Sequence, residues 1–350
     1  ENATASDEVE IHIASTTRVL ELTEAKQSFT FTGITHAPVP SLLRNFSAPV
    51  VLEYGYSDEQ LAFLLAHDSD PFNRWEAGQR LATRRLLHLT DVELSRDLTY
   101  PVTAQDELLV SALRKLLRDA SLDPAFRDLV LTLPSETMLA EQVEMIDPQA
   151  IHRARRALRA HLAQALRNDL LATYHANHTP GAYRPDPLPA GRRALRNNAL
   201  GYLSELNDGA THKLMQDQLD HASNMTDRIA ALSAMVHHGA PGVEQALDEF
   251  YADFEGEALV IDKWFSLQAS APTTDVTAVR KLMKHPAFTL KNPNRARSLI
   301  FAFCSSNPAQ FHVPDGSGHA FWVEQVIALN AINPQVAARL DRKSTRLHSS

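Results

Sequence analysis

The side chains best suited to chemistry are histidines, one cysteine and several clustered arginines. There are 16 histidines in 350 residues. A zinc ion that activates water for hydrolysis is commonly held by two histidines one helical turn apart, with a glutamate beside the first, H-E-x-x-H. That pentapeptide does not occur. The nearest pairs are His175 and His178 in YHANHTP and the adjacent His237-His238 in MVHHGAP. One pair ends a helical run at a proline-rich stretch and the other precedes a Gly-Ala-Pro-Gly break. Neither has an acidic third ligand at helical spacing. Both read as helix C-terminal histidines, which favour the negative end of the helix dipole. No catalytic residue and no metal ligand is therefore assigned within the chain.

Other templates fail as well. The sequence has no G-x-S-x-G elbow, no G-x-x-x-x-G-K-[ST] phosphate loop and no G-x-G-x-x-G fingerprint. DGSG at Asp315 to Gly318 reads as a turn, with no evident base for Ser317. The single cysteine, Cys304 in AFCSSNP, cannot form an intrachain disulfide, which suits a reducing compartment, and it reads as a packed, inert thiol. Arg153, Arg155, Arg156 and Arg159 crowd one stretch without interleaved aromatics, so they read as a solvated helix face or as partners of acidic neighbours. A net charge of −8 argues against a nucleic-acid partner, and no run of about 18 apolar residues is present to span a membrane.

The elements that would position these groups fall into two kinds. EVEIHIAS, SFTFTGI and PVVLEYGY alternate apolar and polar residues, the period of a half-buried strand. Pro38, Pro40 and Pro49 separate the last two as extended connections. From Ser57 the period becomes helical. Ser57 with Gln60 and Thr103 with Asp106 form capping signals, and Asp70-Pro71, Asp123-Pro124, Asp147-Pro148 and Asn307-Pro308 repeat a cap followed by an N1 proline. Pro148 to Tyr174 reads as one long helical segment with Ile151, Ala154, Leu158, Leu162, Ala165 and Leu166 inward, and Asn177 to Gly191 as an exposed, proline-rich loop. The expected fold is mainly α, an irregular α-solenoid of stacked antiparallel helix pairs with no strict period, preceded by the end of a small β-sandwich domain. The boundaries expected are 1–51 for the sandwich end and 52–340 for the helical domain, with 341–350 a non-native or disordered tail.

Both ends carry expectations. The chain opens ENATASDEVE without an initiator methionine, and the first methionine is Met138. Translation is expected to begin upstream, making this a fragment or a processed product. The final DRKSTRLHSS departs from the preceding helical pattern and reads as a non-native extension.

Several stretches resemble one family, in order. HAPVPSLLRNFSAPVVLEY (His36 to Tyr54), NMTDRIAALSA (Asn224 to Ala234), LVIDKWFSLQA (Leu259 to Ala269), NPNRARSLIFAF (Asn292 to Phe303), DGSGHAFWVE (Asp315 to Glu324) and NPQVAARL (Asn333 to Leu340) are similar to the carboxy-terminal region of the bacterial aminopeptidase N branch of the M1 family. The resemblance covers about Glu8 to Leu340. It implies a zinc-dependent parent enzyme that removes amino-terminal residues from peptides, in a bacterial cytoplasm. Its amino-terminal and catalytic domains, which hold the zinc and H-E-x-x-H, lie outside this chain and would be its partners. The helical domain would roof the substrate chamber, and the chain alone would be inactive. Arg295, Arg297 and Arg339 are the candidates for chamber-facing residues that grip a peptide carboxylate, bidentate and charge-assisted. The plainer reading is that Arg295 caps or pairs within its helix pair and Arg339 closes a helix. A second function class, a free-standing helical-repeat scaffold that binds a protein, is discriminated by a stable fold with a specific protein ligand.

Overall fold

The computed structural model describes residues 8–12, 17–91 and 100–345. The chain divides into two compact units, Glu1–Leu52 and Glu53–Ser350.

In the first unit β1 (Glu8–His12) pairs in parallel with β2 (Ser28–Thr32), Glu8 opposite Ser28 and His12 opposite Thr32. Gly33 ends β2 at φ 77°, a left-handed conformation that costs glycine least. The third expected strand does not form. Residues 51–57 are irregular, and Val51 is 90% exposed. Alternation alone does not make a strand; the backbone needs a ladder partner, and among the described residues Val50 to Tyr54 have none.

From Asp58 the described residues of the second unit form helices joined by short connections. α1 (Asp58–His67) folds back on α2 (Pro71–Thr90), and α3 (Ala104–Arg118) packs on both. α4 (Pro124–Leu131) and the short α5 (Glu136–Ala140) lead into α6 (Pro148–Ala165), which lies against α2. α7 (Arg167–Ala176) pairs with α8 (Pro187–Leu203), and α8 also covers α4. After a 3-10 turn at Ser204–Leu206, α9 (Gly209–His221) pairs with α10 (Met225–His238). α11 (Val243–Phe254), α12 (Ala258–Ala269) and α13 (Val276–Met283) follow. Then α14 (Pro293–Ala296), a π turn over Arg297–Phe301 and α15 (Ala302–Ser306) run on as one bulged helix. α16 (Pro308–Phe311) precedes α17 (Ser317–Ile332), which packs on α18 (Pro334–Thr345). The fold is thus mainly α, an irregular solenoid of packed helix pairs. Its core is a chain of leucines and phenylalanines, among them Leu65, Leu81, Leu86, Leu158, Leu200, Phe265 and Phe303, all essentially inaccessible.

Local chemistry sets the helix starts. Ser57 and Gln60 exchange backbone-to-side-chain bonds in a reciprocal box. Asp70, Asp123 and Asp147 each accept from backbone N–H groups ahead of a proline whose missing donor is one no helix start could satisfy. Asp106 does more than box with Thr103. It accepts Arg85 Nε at 2.8 Å and the Tyr100 hydroxyl at 2.6 Å, and neither charged side chain is exposed. Burial pushes this carboxyl up, but the bonds from Arg85, Tyr100 and Thr103 outweigh it and hold the group below its usual range.

Three details differ from the sequence pattern. Pro148 to Tyr174 is not one helix: it bends at Leu166 (φ −108°), where Arg114 donates to the Ala165 carbonyl at 3.0 Å. A side chain inserted into the hydrogen-bond ladder is a sufficient cause for such a bend. The proline-rich loop is shorter than expected, because Pro187 and Pro189 lie in the first turn of α8, which needs no N–H there. At the other end α18 stays helical to Thr345, so the backbone does not change character at Asp341.

Candidate functional site

α6 places Arg155 and Arg159 one turn apart on one flank, bordering the core stripe of Ile151, Ala154, Leu158 and Leu162, with Arg156 further out toward solvent. That flank lines a groove of about 560 Å³, with further walls from the turn after α8, from α10 and from the start of α16. An adjoining cavity of about 510 Å³ shares Glu136, Thr137, Ser305 and Pro308 with it and extends to Met145, His312 and His319.

Glu205, in the 3-10 turn after α8, anchors the groove. Its side chain is 9% exposed, and Arg159 Nε lies 2.9 Å from it, with Arg156 Nε and His238 Nδ1 both at 3.9 Å. Burial pushes its carboxyl up, opposed by the three arginines. The Arg159 guanidinium lies 4.5 Å above the centroid of the Tyr202 ring, a cation–π contact. Gly201 permits this: a Cβ there would come 2.6 Å from Arg159 Nη2. Tyr202 is fixed in turn, donating to the Leu131 carbonyl at 2.7 Å, with its phenol pushed up to about 12 by burial.

His237 and His238 stand at the C-terminus of α10, ahead of a left-handed Gly239, as the sequence indicates. The dipole account of them is corrected, however. Burial pushes both imidazoles down, His238 to about 4 with Arg159 and Arg156 adding repulsion. They are neutral at pH 7 and bring no positive charge to the helix end. Ser270 Oγ lies 3.3 Å from His237 Nε2, a serine–histidine contact. The same nitrogen is 3.2 Å from the Leu267 carbonyl, which can only accept. Nε2 therefore carries the proton and cannot take one from Ser270. His152 Nδ1, on α6, donates to Glu136 Oε1 at 2.8 Å. The arrangement can hold an anion; it has no activated nucleophile.

The arginines singled out from the sequence lie elsewhere. Arg295 is 5% exposed and donates to Asp262 at 2.6 Å, to the Ala287 carbonyl at 2.6 Å and to the Ala258 carbonyl at 3.2 Å. Its guanidinium is thus engaged inside the protein, packed 5.1 Å from the Phe265 ring centroid. Arg297, half-buried in the π turn, bonds Asn294 at 3.3 Å, and Arg339 is exposed on α18. None lines the groove. The sequence singled out Arg155, Arg156 and Arg159 as a solvated face or as partners of acidic neighbours, and Arg156 and Arg159 do face an acidic neighbour; that this neighbour is Glu205 was not legible, because it joins them only through tertiary packing.

Asn307 also does something its sequence position hides. Instead of capping α16, its amide nitrogen donates to the carbonyls of Ala269, Ala271 and Thr274 at 3.3, 2.8 and 3.1 Å, tying the end of α12 to the groove floor. Cys304 is buried with its thiol pushed up to about 12, an unreactive state. Among the described residues no group of three or more His, Cys, Asp or Glu side chains could hold a metal ion, so no donor set here fits zinc. No helix among them is long and apolar enough to cross a membrane.

Residues 58–349 match the family model described as "Domain of unknown function (DUF3458_C) ARM repeats". The chain belongs to the DUF3458_C family. Residues 3–55 match a companion model, DUF3458, described as an Ig-like fold. Over 94% of its length the chain is 44% identical to Aminopeptidase N of Escherichia coli, and over 93% it is 39% identical to Aminopeptidase N of Caulobacter vibrioides. It covers 37% of each of those proteins. Among solved structures, Legionella pneumophila aminopeptidase A in complex with aspartic acid superposes with a TM-score of 0.75 at 30% identity, over 89% of this chain and 36% of that one. The likeness to aminopeptidase N read from the sequence is borne out.

Proposed function

We propose that this chain is the carboxy-terminal part of a zinc-dependent aminopeptidase that removes amino-terminal residues from peptides in the cytoplasm. Its helical unit roofs the substrate chamber, and its first unit is the end of the small β-sandwich domain. The observation that carries the reading is 44% identity to an Aminopeptidase N over 94% of the chain. The zinc, the water-activating glutamate and the grip on the substrate's free amine belong to the parent's other domains, which are this chain's partners. When bound, zinc would lower the pKa of a water and polarise the scissile carbonyl. In this reading Arg297 and Arg339 remain candidates for the chamber wall, while the three internal bonds of Arg295 support a positioning role for it.

The gene sequence upstream of the Glu1 codon tests this most directly. An open frame that runs back into an H-E-x-x-H segment is expected, and the encoded full-length protein should hydrolyse alanyl-p-nitroanilide and lose that activity on chelation. A start codon immediately before Glu1, or turnover by the 350-residue chain alone that survives repurification, overturns the reading.

A further inference from the structure

The groove treats two neighbouring cations differently. Arg159 is already paired, held by Glu205 at 2.9 Å and stacked over Tyr202. Arg155, one turn earlier on the same flank, has no such partner. Its Nε donates to the Pro134 carbonyl at 2.8 Å, and its terminal nitrogens make no hydrogen bond with the described residues. No carboxylate among the described residues lies within ion-pair distance of it. Burial pulls its pKa down and the adjacent Arg159 charge adds to the effect, outweighing the opposing pull of Tyr202, Glu136 and Glu205. Glu136 and Glu205 attract this guanidinium only from beyond contact, so an anion placed against its fork in the groove would supply the direct partner it lacks. The groove's charge also limits what fits. Its walls carry three guanidiniums and two carboxylates, leaving one positive charge, which matches a monoanion better than a phosphate dianion.

We propose that the groove is a carboxylate-binding site. The planar fork of Arg155 takes two carboxylate oxygens, the more exposed Arg156 adds charge to the same wall, and Glu205 withholds Arg159. The carboxylate is the free end of a short peptide lying in the 560 Å³ space, or a small free carboxylic acid of the same chemistry. Only the peptide as source rests on the aminopeptidase reading; the site itself does not.

The test is calorimetric titration of the whole 350-residue chain with three probes: N-acetyl-tetraalanine with a free carboxylate, the same peptide as its amide, and acetate. The free acid is expected to bind at least about tenfold more tightly than the amide. Arg155→Met should weaken the acid by about tenfold, and Arg155→Lys, which keeps the charge but loses the fork, by less. Glu205→Gln should tighten it, because Arg159 is then released to the ligand. Circular dichroism shows whether each variant is folded; if Arg155→Met is not, Arg155→Lys and Glu205→Gln still decide the question. Equal binding of acid and amide, or loss of affinity in Glu205→Gln, overturns the proposal. Acetate binding as tightly as the peptide supports the carboxylate site while removing the peptide as its source, an outcome independent of whether the parent is an aminopeptidase.

Discussion

Removing the Asp106 carboxylate should be among the most damaging single changes in the helical unit. Asp106→Ala deletes the ion pair to Arg85 at 2.8 Å, the bond from Tyr100 at 2.6 Å and two bonds from Thr103 at 2.7 and 2.9 Å. What remains is Arg85, wholly inaccessible, with the Pro101 carbonyl at 2.5 Å as its other acceptor. Breaking a buried pair from one side costs about 3–5 kcal/mol, because the surviving charge is left uncompensated. Urea unfolding at pH 7, followed by far-ultraviolet circular dichroism, measures this. The double variant Arg85→Met with Asp106→Leu removes both charges and should recover most of the loss, ending about 1 kcal/mol below the parent because the cap on α3 stays lost. The pair also has a pH signature. The folded carboxyl sits below its unfolded value, so its contribution is present at neutral pH and disappears as pH falls through the folded pKa. A cost under about 1 kcal/mol for Asp106→Ala, or a double variant as unstable as the sum of the singles, would refute the argument that this pair is desolvated and coupled.

Four further outcomes are expected. His238 is held near pKa 4 when folded, against about 6.5 unfolded, so the unfolded state binds the extra proton between those values and stability should fall by at most about 3 kcal/mol as pH drops from 6.5 to 4; His238→Gln should flatten that slope in urea titrations. Gly318→Ala drives a Cβ to 2.0 Å from the Phe311 carbonyl oxygen and should cost about 3 kcal/mol or more, read as a lowered melting temperature. Asn307→Ala leaves three buried carbonyls short of their donor, for a loss of about 1–3 kcal/mol in the same assay. Gly201→Ala pushes Arg159 off Tyr202 and should cost about 1 kcal/mol, with a changed tyrosine absorbance as its marker.

The sequence was most readable where structure is decided within three or four residues. Ser57 with Gln60, Asp70 with Pro71 and Thr103 with Asp106 state their helix starts because donor and acceptor share one turn. Long-range partners were not readable. Asn307 looks like a cap and is a clasp, because its acceptors lie on another helix and the loop beyond it. The location of His237 and His238 was legible, yet their protonation was not, since it depends on burial and on Arg159 and Arg156 across the groove. Val50 to Tyr54 show the same limit for strands: the pattern was present, but the partner that would have realised it is not found among the described residues. The candidate site was legible only as a basic stretch on α6; its counter-charge, Glu205, comes from another helix pair.

The π turn at Arg297–Phe301 bears on how this chain tolerates changes in length. A π turn is an α-helix carrying one residue beyond what its regular hydrogen bonding needs. Deleting a residue from an ordinary helix such as α2 rotates everything beyond the deletion by about 100°, turning core positions toward solvent. A one-residue deletion within Arg297–Phe301 would instead let the bulge relax into regular helix, leaving Phe303, Phe311 and Phe321 pointing into the core. Chains related to this one should therefore be able to differ by a single residue here while keeping the downstream helices in register.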